Sequence, residues 1–274
     1  MTERLETLAA RLRTLDQIGD VVGALRAIAA GHEAEAQRAM APIRAHAETV
    51  RQALLWISQR SGAAPEGAGL VLVVGAAQGF SGSYPYRLAD AAAELAEAGA
   101  GLLVTGRRTL TLLEERGINV LWSDEMVSRP QEIPDLASHA TDHLLALSTA
   151  HPGPIRMIVE TDPRSPDLDL RQVFPVPLTD GHLRRAPPLT TLPPAQLVEG
   201  LLDEALFSAV ALGLTEGFLS ENAARVEAMA RAQSHLADRR DETLRAFQGA
   251  RQETMTTELI ELMAARRSGQ AGAP

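Results

Sequence analysis

Residues 195–273 contain no proline and are built almost wholly from helix-forming residues. Proline is the residue that most reliably ends a helix, so nothing in this stretch forces an interruption. Val226, Met229, Leu236, Leu244, Phe247, Met255, Leu259 and Leu262 fall at spacings of three, four or their sums, an apolar seam broken by Gln233, Arg240 and Arg251. As one helix, 197–267 would be roughly 105 Å long at ~1.5 Å per residue. The other end of the chain has the same character. Residues 3–60 hold a single proline, Pro42, and place Leu5, Leu8, Leu12, Leu15, Ile18, Val22, Leu25 and Ile28 on one helical face. Thr2 can cap that helix, with Glu3 and Glu6 in its first turn to suit the dipole. Pro42 removes one backbone donor and marks the place for a kink. Neither helix can be wrapped inside a domain of this size, and the simplest way for two such seams to be covered is by each other, as an antiparallel coiled coil.

Between them lies a different composition. Residues 62–194 hold 14 of the 16 prolines, with short apolar runs alternating with helical stretches. LVLVVG (70–75), GLLVTG (101–106), IRMIVE (155–160) and RQVFPV (171–176) read as strands, and NVLW (119–122) as a further short one. The segments 86–99, 108–117 and 135–150 read as helices. Such alternation predicts a small, mostly parallel, Rossmann-like α/β domain. The expected organisation is an N-terminal coiled-coil helix (1–61), an α/β head (62–194) and a C-terminal coiled-coil helix (195–274), a shaft made from both termini with a head inserted between them.

Small residues recur along both long helices: Gly19, Gly23, Ala29, Ala30 and Gly31 on one, Ala209, Gly213, Gly217, Ala223 and Ala224 on the other. Each glycine costs a helix about 1 kcal/mol relative to alanine. Close backbone approach would offset that cost, while an alanine- and glycine-rich composition would explain the pattern with no packing role.

Composition closes much chemistry. The chain has no cysteine, and all 26 of its basic residues are arginine. That excludes disulfides, thiolate nucleophiles and cysteine metal sites, and with lysine absent also the Walker phosphate loop and Schiff-base catalysis. A net charge of −9 argues against nucleic-acid binding. No apolar run reaches the ~20 residues of a membrane span, and MTERLETLAARL lacks a signal-peptide core. The expectation is a soluble cytoplasmic chain that meets a membrane only through partners and carries no cofactor.

The most enzyme-like passage is VLVVGAAQGFSGSYPY (71–86). Gly75, Gly79 and Gly82 follow a strand, as in a nucleotide-binding turn, but their spacing is not that of the dinucleotide fingerprint. The five residues Gly79–Ser83 nearly spell a nucleophile elbow around Ser81, with Asp162 and His182 in the order a triad would need. A plain glycine turn after the first strand is the simpler reading, and an α/β enzyme or nucleotide binder using this turn is the alternative. His139 and His143 stand four apart on a helix, with Asp142 and His151 nearby, yet without the glutamate of a zincin. Arg239–Arg240 and Arg266–Arg267 read as solvated helix faces.

The two ends then carry a resemblance. SENAARVEAMARA (220–232) resembles the Ser-Glu-x-Ala-Ala-Arg-x-x-Ala-Met-x-x-Ala signature of the γ subunit of F-type ATP synthases, and RQETMTTELIEL (251–262) is similar to that family's C-terminal stretch. LAARLRTLDQIGDVVGALRAIAAGH (8–32) looks like its N-terminal helix, with Arg11, Ala24, Leu25 and Ala29-Ala30 at family-like spacing, and the 79–82 turn sits where the family has Gly-Leu-Cys-Gly. The resemblance implies a central-stalk rotor with no catalytic site of its own. It would transmit torque between a membrane rotor ring and a catalytic hexamer of α and β subunits, and be joined at its foot by an ε subunit. It implies that Arg251, Gln252, Thr256, Glu258, Arg11 and Leu25 couple to the hexamer, and that Ser220, Glu221 and Arg225 lie at the stalk foot. The implied location is the cytoplasmic face of a bacterial inner membrane, peripherally.

Departures from the family pattern mark a divergent member. Positions usually rich in lysine include Asp20 and His32, Ala77-Gln78 replaces Asp-Arg before the glycine turn, and Gln248 replaces an asparagine. Residues 1–61 carry eight arginines against seven acids, and 197–267 eight against twelve. Electrostatic coupling through these helices is expected to be weaker, or differently placed, than in the common pattern.

Overall fold

The computed structural model describes residues 2–57, 66–161, 167–177 and 189–270. In chain order its elements are α1 (Thr2–Ile57), β1 (Leu70–Val74), α2 (Tyr84–Glu97), β2 (Gly101–Thr105), α3 (Arg107–Glu115), β3 (Trp122–Asp124), a 3-10 turn (Pro130–Glu132), α4 (Ile133–Ser148), β4 (Ile155–Val159), β5 (Asp169–Phe174) and α5 (Pro194–Gln270). They form two compact units: one of Met1–Ala27 with Met229–Pro274, the other of Ile28–Ala228.

The larger unit is built on a five-stranded sheet in the order β3-β2-β1-β4-β5. The first four strands run parallel and β5 pairs antiparallel with β4, Met157 opposite Arg171. The mostly parallel sheet expected from strand–helix alternation is therefore present. Its central strand explains why LVLVV shows no polar alternation: both faces are covered. Leu70, Leu72 and Val74 pack with Leu136, Ala140 and Leu144 of α4 and with Leu206, Val210, Leu214 and Phe218 of α5. Val71 and Val73 pack with Tyr84, Leu88 and Ala92 of α2 and with Leu112 and Leu113 of α3. NVLW is less well anticipated. The edge strand β3 begins at Trp122 and runs on to Asp124, because only that three-residue register meets β2, from Leu103↔Trp122 to Thr105↔Asp124.

Two helical glycines face this sheet. A Cβ on Gly217 would lie 2.3 Å from Val74 Cγ1, and one on Gly213 would lie 2.2 Å from Met157 Cε. Both distances are far inside van der Waals contact, so the backbone of α5 rests against β1 and β4 where only hydrogen fits. The part of α1 in this unit buries Ala36 in the same core, and Val50 and Leu54 pack with Ala205 of α5. Polar contacts between the two helices are His46 Nε2 to Glu204 Oε1 at 2.7 Å and Arg44 to Glu216 at 3.5 Å.

In the smaller unit the chain ends lie antiparallel. Arg26 donates to Gln233 at 2.9 Å, Arg240 to Asp16 at 2.7 Å, and Arg4 stands 3.8 Å from Glu253. Leu5, Leu8, Leu12, Leu15, Val22 and Leu25 are half-buried on α1, and Met229 and Ala250 are buried on α5. The seam does not continue to the end of α5. Met255, Leu259, Ile260, Leu262 and Met263 are exposed, Leu259 at 60% and Met263 at 71%. The register accounts for this: Arg4 is level with Glu253, so these residues lie past the stretch of α5 that the described α1 faces. Gly19 and Gly31 meet nothing within 4 Å, and Gly23 meets only Gln233 Nε2, at 3.3 Å. Gly19, Gly23 and Gly31 thus make no backbone-close approach to the other helix, unlike Gly213 and Gly217 against the sheet.

Candidate functional site

Parallel sheets offer ligands a crevice beyond the carboxyl ends of their strands, at the point where the strand order reverses. Here that point lies between β1 and β4, and the glycine turn 75–83 caps it. Gly75 N–H donates to Thr105 O at 2.9 Å, and Ala76 N–H to Thr109 Oγ1 at 2.9 Å. The next two amides, which a bound phosphate would need, are already used. Ala77 N–H donates to Glu221 Oε2 at 3.0 Å and Gln78 N–H to Glu221 Oε1 at 3.2 Å. A carboxylate from α5 thus sits where successive backbone amides make an anion-binding concavity.

Arg225 completes the clamp. Its guanidinium pairs with Glu221, donates to Gly79 O at 3.4 Å and to Asn222 Oδ1 at 3.1 Å, while Asn222 donates to Phe218 O at 2.8 Å. Glu221 is buried at 2% exposure and paired within the same helix, so its charge is neutralised locally as a buried carboxylate requires. Tyr84 fastens the other side of the turn, its hydroxyl reaching Gly217 O at 3.3 Å and Val74 O at 3.4 Å. Burial pushes that hydroxyl's pKa upward, helped by the nearby charges of Glu221 and Glu160. It is therefore a neutral donor. Phe80 alone adopts a left-handed backbone, φ 66°, among non-glycine residues described.

This geometry gives no purchase to an enzyme reading of the turn. Ser81 is 2% exposed and its Oγ has no hydrogen-bond partner, so it is neither presented to substrate nor activated. Asp162 and His182, the other members of a conceivable triad, lie outside the described residues. The histidines four apart are engaged separately, His139 Nδ1 3.7 Å from Asp124 and His143 stacked on Trp122 with ring centroids 5.1 Å apart. No group of three His, Asp or Glu side chains among the described residues could hold a metal ion. Arg239 pairs along its own helix with Glu242.

The residues singled out from sequence fall in three places. Glu221 and Arg225 belong to the clamp, with Glu221 its central acceptor, whereas Ser220 is fully buried with its Oγ unpartnered. Arg251, Gln252, Thr256 and Glu258 are exposed on α5, with Thr256 Oγ1 bonded to Gln252 O at 2.8 Å. Arg11 is exposed and Leu25 half-buried on α1. Leu25 adjoins Arg26, which is level with Gln233, so it lies roughly 25 Å along the helix pair from Arg251 at ~1.5 Å per residue. The six residues expected to couple to a hexamer therefore occupy more than one level. The sequence reading missed the function of Ala77 and Gln78 as donors to Glu221. Their replacement of a charged pair was the only signal at hand.

Residues 4–268 match the family model described as ATP synthase, that of its γ subunit. This chain belongs to the ATP synthase γ-subunit family. The fold agrees. The γ-family chain is similar to a chain of the Euglena gracilis mitochondrial ATP synthase OSCP/F1/c-ring structure in rotational state 3, with TM-score 0.69 and 15% identity over 99% of this chain and 96% of that one. It is similar also to a chain of the rotor of the same synthase in rotational state 1, with TM-score 0.66 and 14% identity over 93% and 100%. A third similar chain comes from the Tetrahymena thermophila mitochondrial ATP synthase central stalk/c-ring, with TM-score 0.59 and 16% identity over 77% and 99%. No curated protein sequence matches. None of the described helices of this γ-family chain is long and apolar enough to cross a membrane.

Proposed function

We infer that the chain is the rotor, or central-stalk, subunit of an F-type ion-translocating ATP synthase, and that it transmits torque between a membrane ring and a catalytic α₃β₃ hexamer. The family match over 4–268 carries this reading. The form of the molecule supports it. Two long helices supply stiffness, and the crevice where a ligand would bind is filled by Glu221 of the chain itself. The apolar end of α5, from Met255 to Met263, is left exposed by the described residues, and such surfaces mark interaction sites.

The finer assignments belong to the same proposal. Arg251, Gln252, Thr256, Glu258, Arg11 and Leu25 meet the α and β subunits, and Ser220, Glu221 and Arg225 serve the stalk foot, where an ε subunit and the ring would join. Residues 1–61 and 195–274 act as the coiled-coil arms and 62–194 as the head. The complex works on ion transport, with this subunit held peripherally on the cytoplasmic face of a bacterial inner membrane through its partners. Its catalysis resides in those partners.

Co-expression with α and β subunits tests this. The chain is expected to co-purify with the hexamer, and truncation after Thr254 is expected to abolish coupled ATP synthesis. A purified chain that forms its own oligomer and ignores α₃β₃ refutes the assignment.

A further inference from the structure

The clamp on the 75–83 turn has two halves, and one of them stands without the other. The donor half is the pair of amides of Ala77 and Gln78 with the Arg225 guanidinium, all aimed at the Glu221 carboxylate. Contacts that do not involve Glu221 hold each donor in place. The backbone leading into Ala77 is fixed by Gly75 N–H to Thr105 O at 2.9 Å, Ala76 N–H to Thr109 Oγ1 at 2.9 Å and Arg108 N–H to Ala76 O at 3.0 Å. Beyond the two amides, Tyr84 N–H closes the turn on Ser81 O at 3.3 Å, and the Tyr84 hydroxyl reaches Val74 O. Arg225 is steadied by Asn222 Oδ1 at 3.1 Å and Gly79 O at 3.4 Å. Donors positioned in advance of their ligand are what an anion receptor needs.

The shape of the acceptor is equally defined. Glu221 gives one carboxylate oxygen to each amide, Oε2 at 3.0 Å from Ala77 N and Oε1 at 3.2 Å from Gln78 N, and Oε1 also takes the bond from Arg225. A planar, bidentate, singly charged group fits this set. Glu221 is buried, whereas Gln78 and Gly79 beside it are exposed, so the carboxylate lies directly under the surface turn. Truncating Glu221 to alanine takes away one CH2 and one carboxylate, which is acetate short of a hydrogen. It also strips Arg225 of the carboxylate it pairs with, and a cation whose side chain is only 14% exposed then favours any anion that can replace it.

We propose that the crevice is a receptor for a small monocarboxylate, occupied in the parent chain by Glu221 as a tethered ligand. Helix α5 delivers that carboxylate at a fixed position, so it outcompetes a free one. With the tether cut, a free carboxylate such as acetate takes the same three donors. The inference rests on the clamp alone and is independent of the rotor assignment.

Hydrogen exchange on the purified full-length Glu221→Ala chain, with acetate titrated against chloride at constant ionic strength, tests this. The Ala77 and Gln78 amides should regain protection saturably and at least about tenfold, in the range of a hydrogen bond to a charged group, while Leu72 stays unchanged and reports an intact sheet. Acetamide, neutral and of the same shape, should restore no protection. The parent chain and Glu221→Gln, in which the volume is already filled, should not respond to acetate. In Glu221→Ala/Arg225→Met the acetate effect should fall about tenfold. A Glu221→Ala chain too unstable to fold in chloride should fold in acetate, read by circular dichroism. Equal recovery in acetamide or chloride, an acetate response in the parent or in Glu221→Gln, no acetate effect on Glu221→Ala, or an undiminished effect in the folded double variant would each overturn the proposal.

Discussion

Replacing Gly217 with alanine is normally a stabilising change in a helix, and here it should do the reverse. Alanine gains about 1 kcal/mol over glycine in a helix interior. At Gly217 the new methyl would sit 2.3 Å from Val74 Cγ1, 3.3 Å from Val74 Cβ and 3.5 Å from Val159 Cγ2. Carbon pairs prefer ~3.5–4.0 Å, so the first contact is short by more than an ångström. Val74 is fully buried in the central strand and cannot swing into solvent, and overpacking of such a core costs typically 1–3 kcal/mol. The net expectation is a loss of up to about 2 kcal/mol. Gly31→Ala provides the contrast within the same unit, because that position is exposed with nothing within 4 Å, and it should gain roughly 0.5–1 kcal/mol. Urea unfolding of the two variants and the parent, followed by circular dichroism, reads the difference. If Gly217→Ala stabilises as much as Gly31→Ala, helix α5 does not lie on the sheet as described.

Other consequences are as direct. Glu221→Ala strands the Ala77 and Gln78 amides and should cost about 1–3 kcal/mol, with faster hydrogen exchange at those two amides while Leu72 stays protected. Leu54→Ala, at a fully buried position, should cost about 2–5 kcal/mol, whereas Leu259→Ala should leave the isolated chain's stability within ~0.5 kcal/mol and act only on assembly with a hexamer. Glu48 should titrate near 2 by carboxyl NMR and return toward the ordinary glutamate value of 4.5 in Arg51→Met. Because its folded pKa is depressed, the stability it contributes is fully present above about 4.5 and is lost as pH falls toward 2.

The elements that could be read from the sequence are those whose physics is local. LVLVV and GLLVT announce strands because burial on both faces demands unbroken apolar runs, and 195–273 announces a helix because it lacks proline. Gly213 and Gly217 could not be told from Gly19 and Gly31 by spacing, since only the position of Met157 and Val74 distinguishes them. The same holds for the clamp. Glu221 stood out within a family signature, but its partners Ala77 and Gln78 lie 144 and 143 positions away and contribute backbone amides, which carry no side-chain signal. The exposed end of α5 shared the seam's periodicity with the covered part. Only the register, Arg4 level with Glu253, shows where the described α1 stops facing α5.

The rotor assignment is tested most directly by watching the chain turn. The sequence has no cysteine, so Glu115→Cys, at an exposed position, gives a unique attachment point for a bead on a hexamer fixed to a surface. ATP should drive sustained rotation of the bead in one direction, ceasing when ATP is withdrawn. A chain that assembles with an ATP-hydrolysing hexamer and yet stays still would contradict the account.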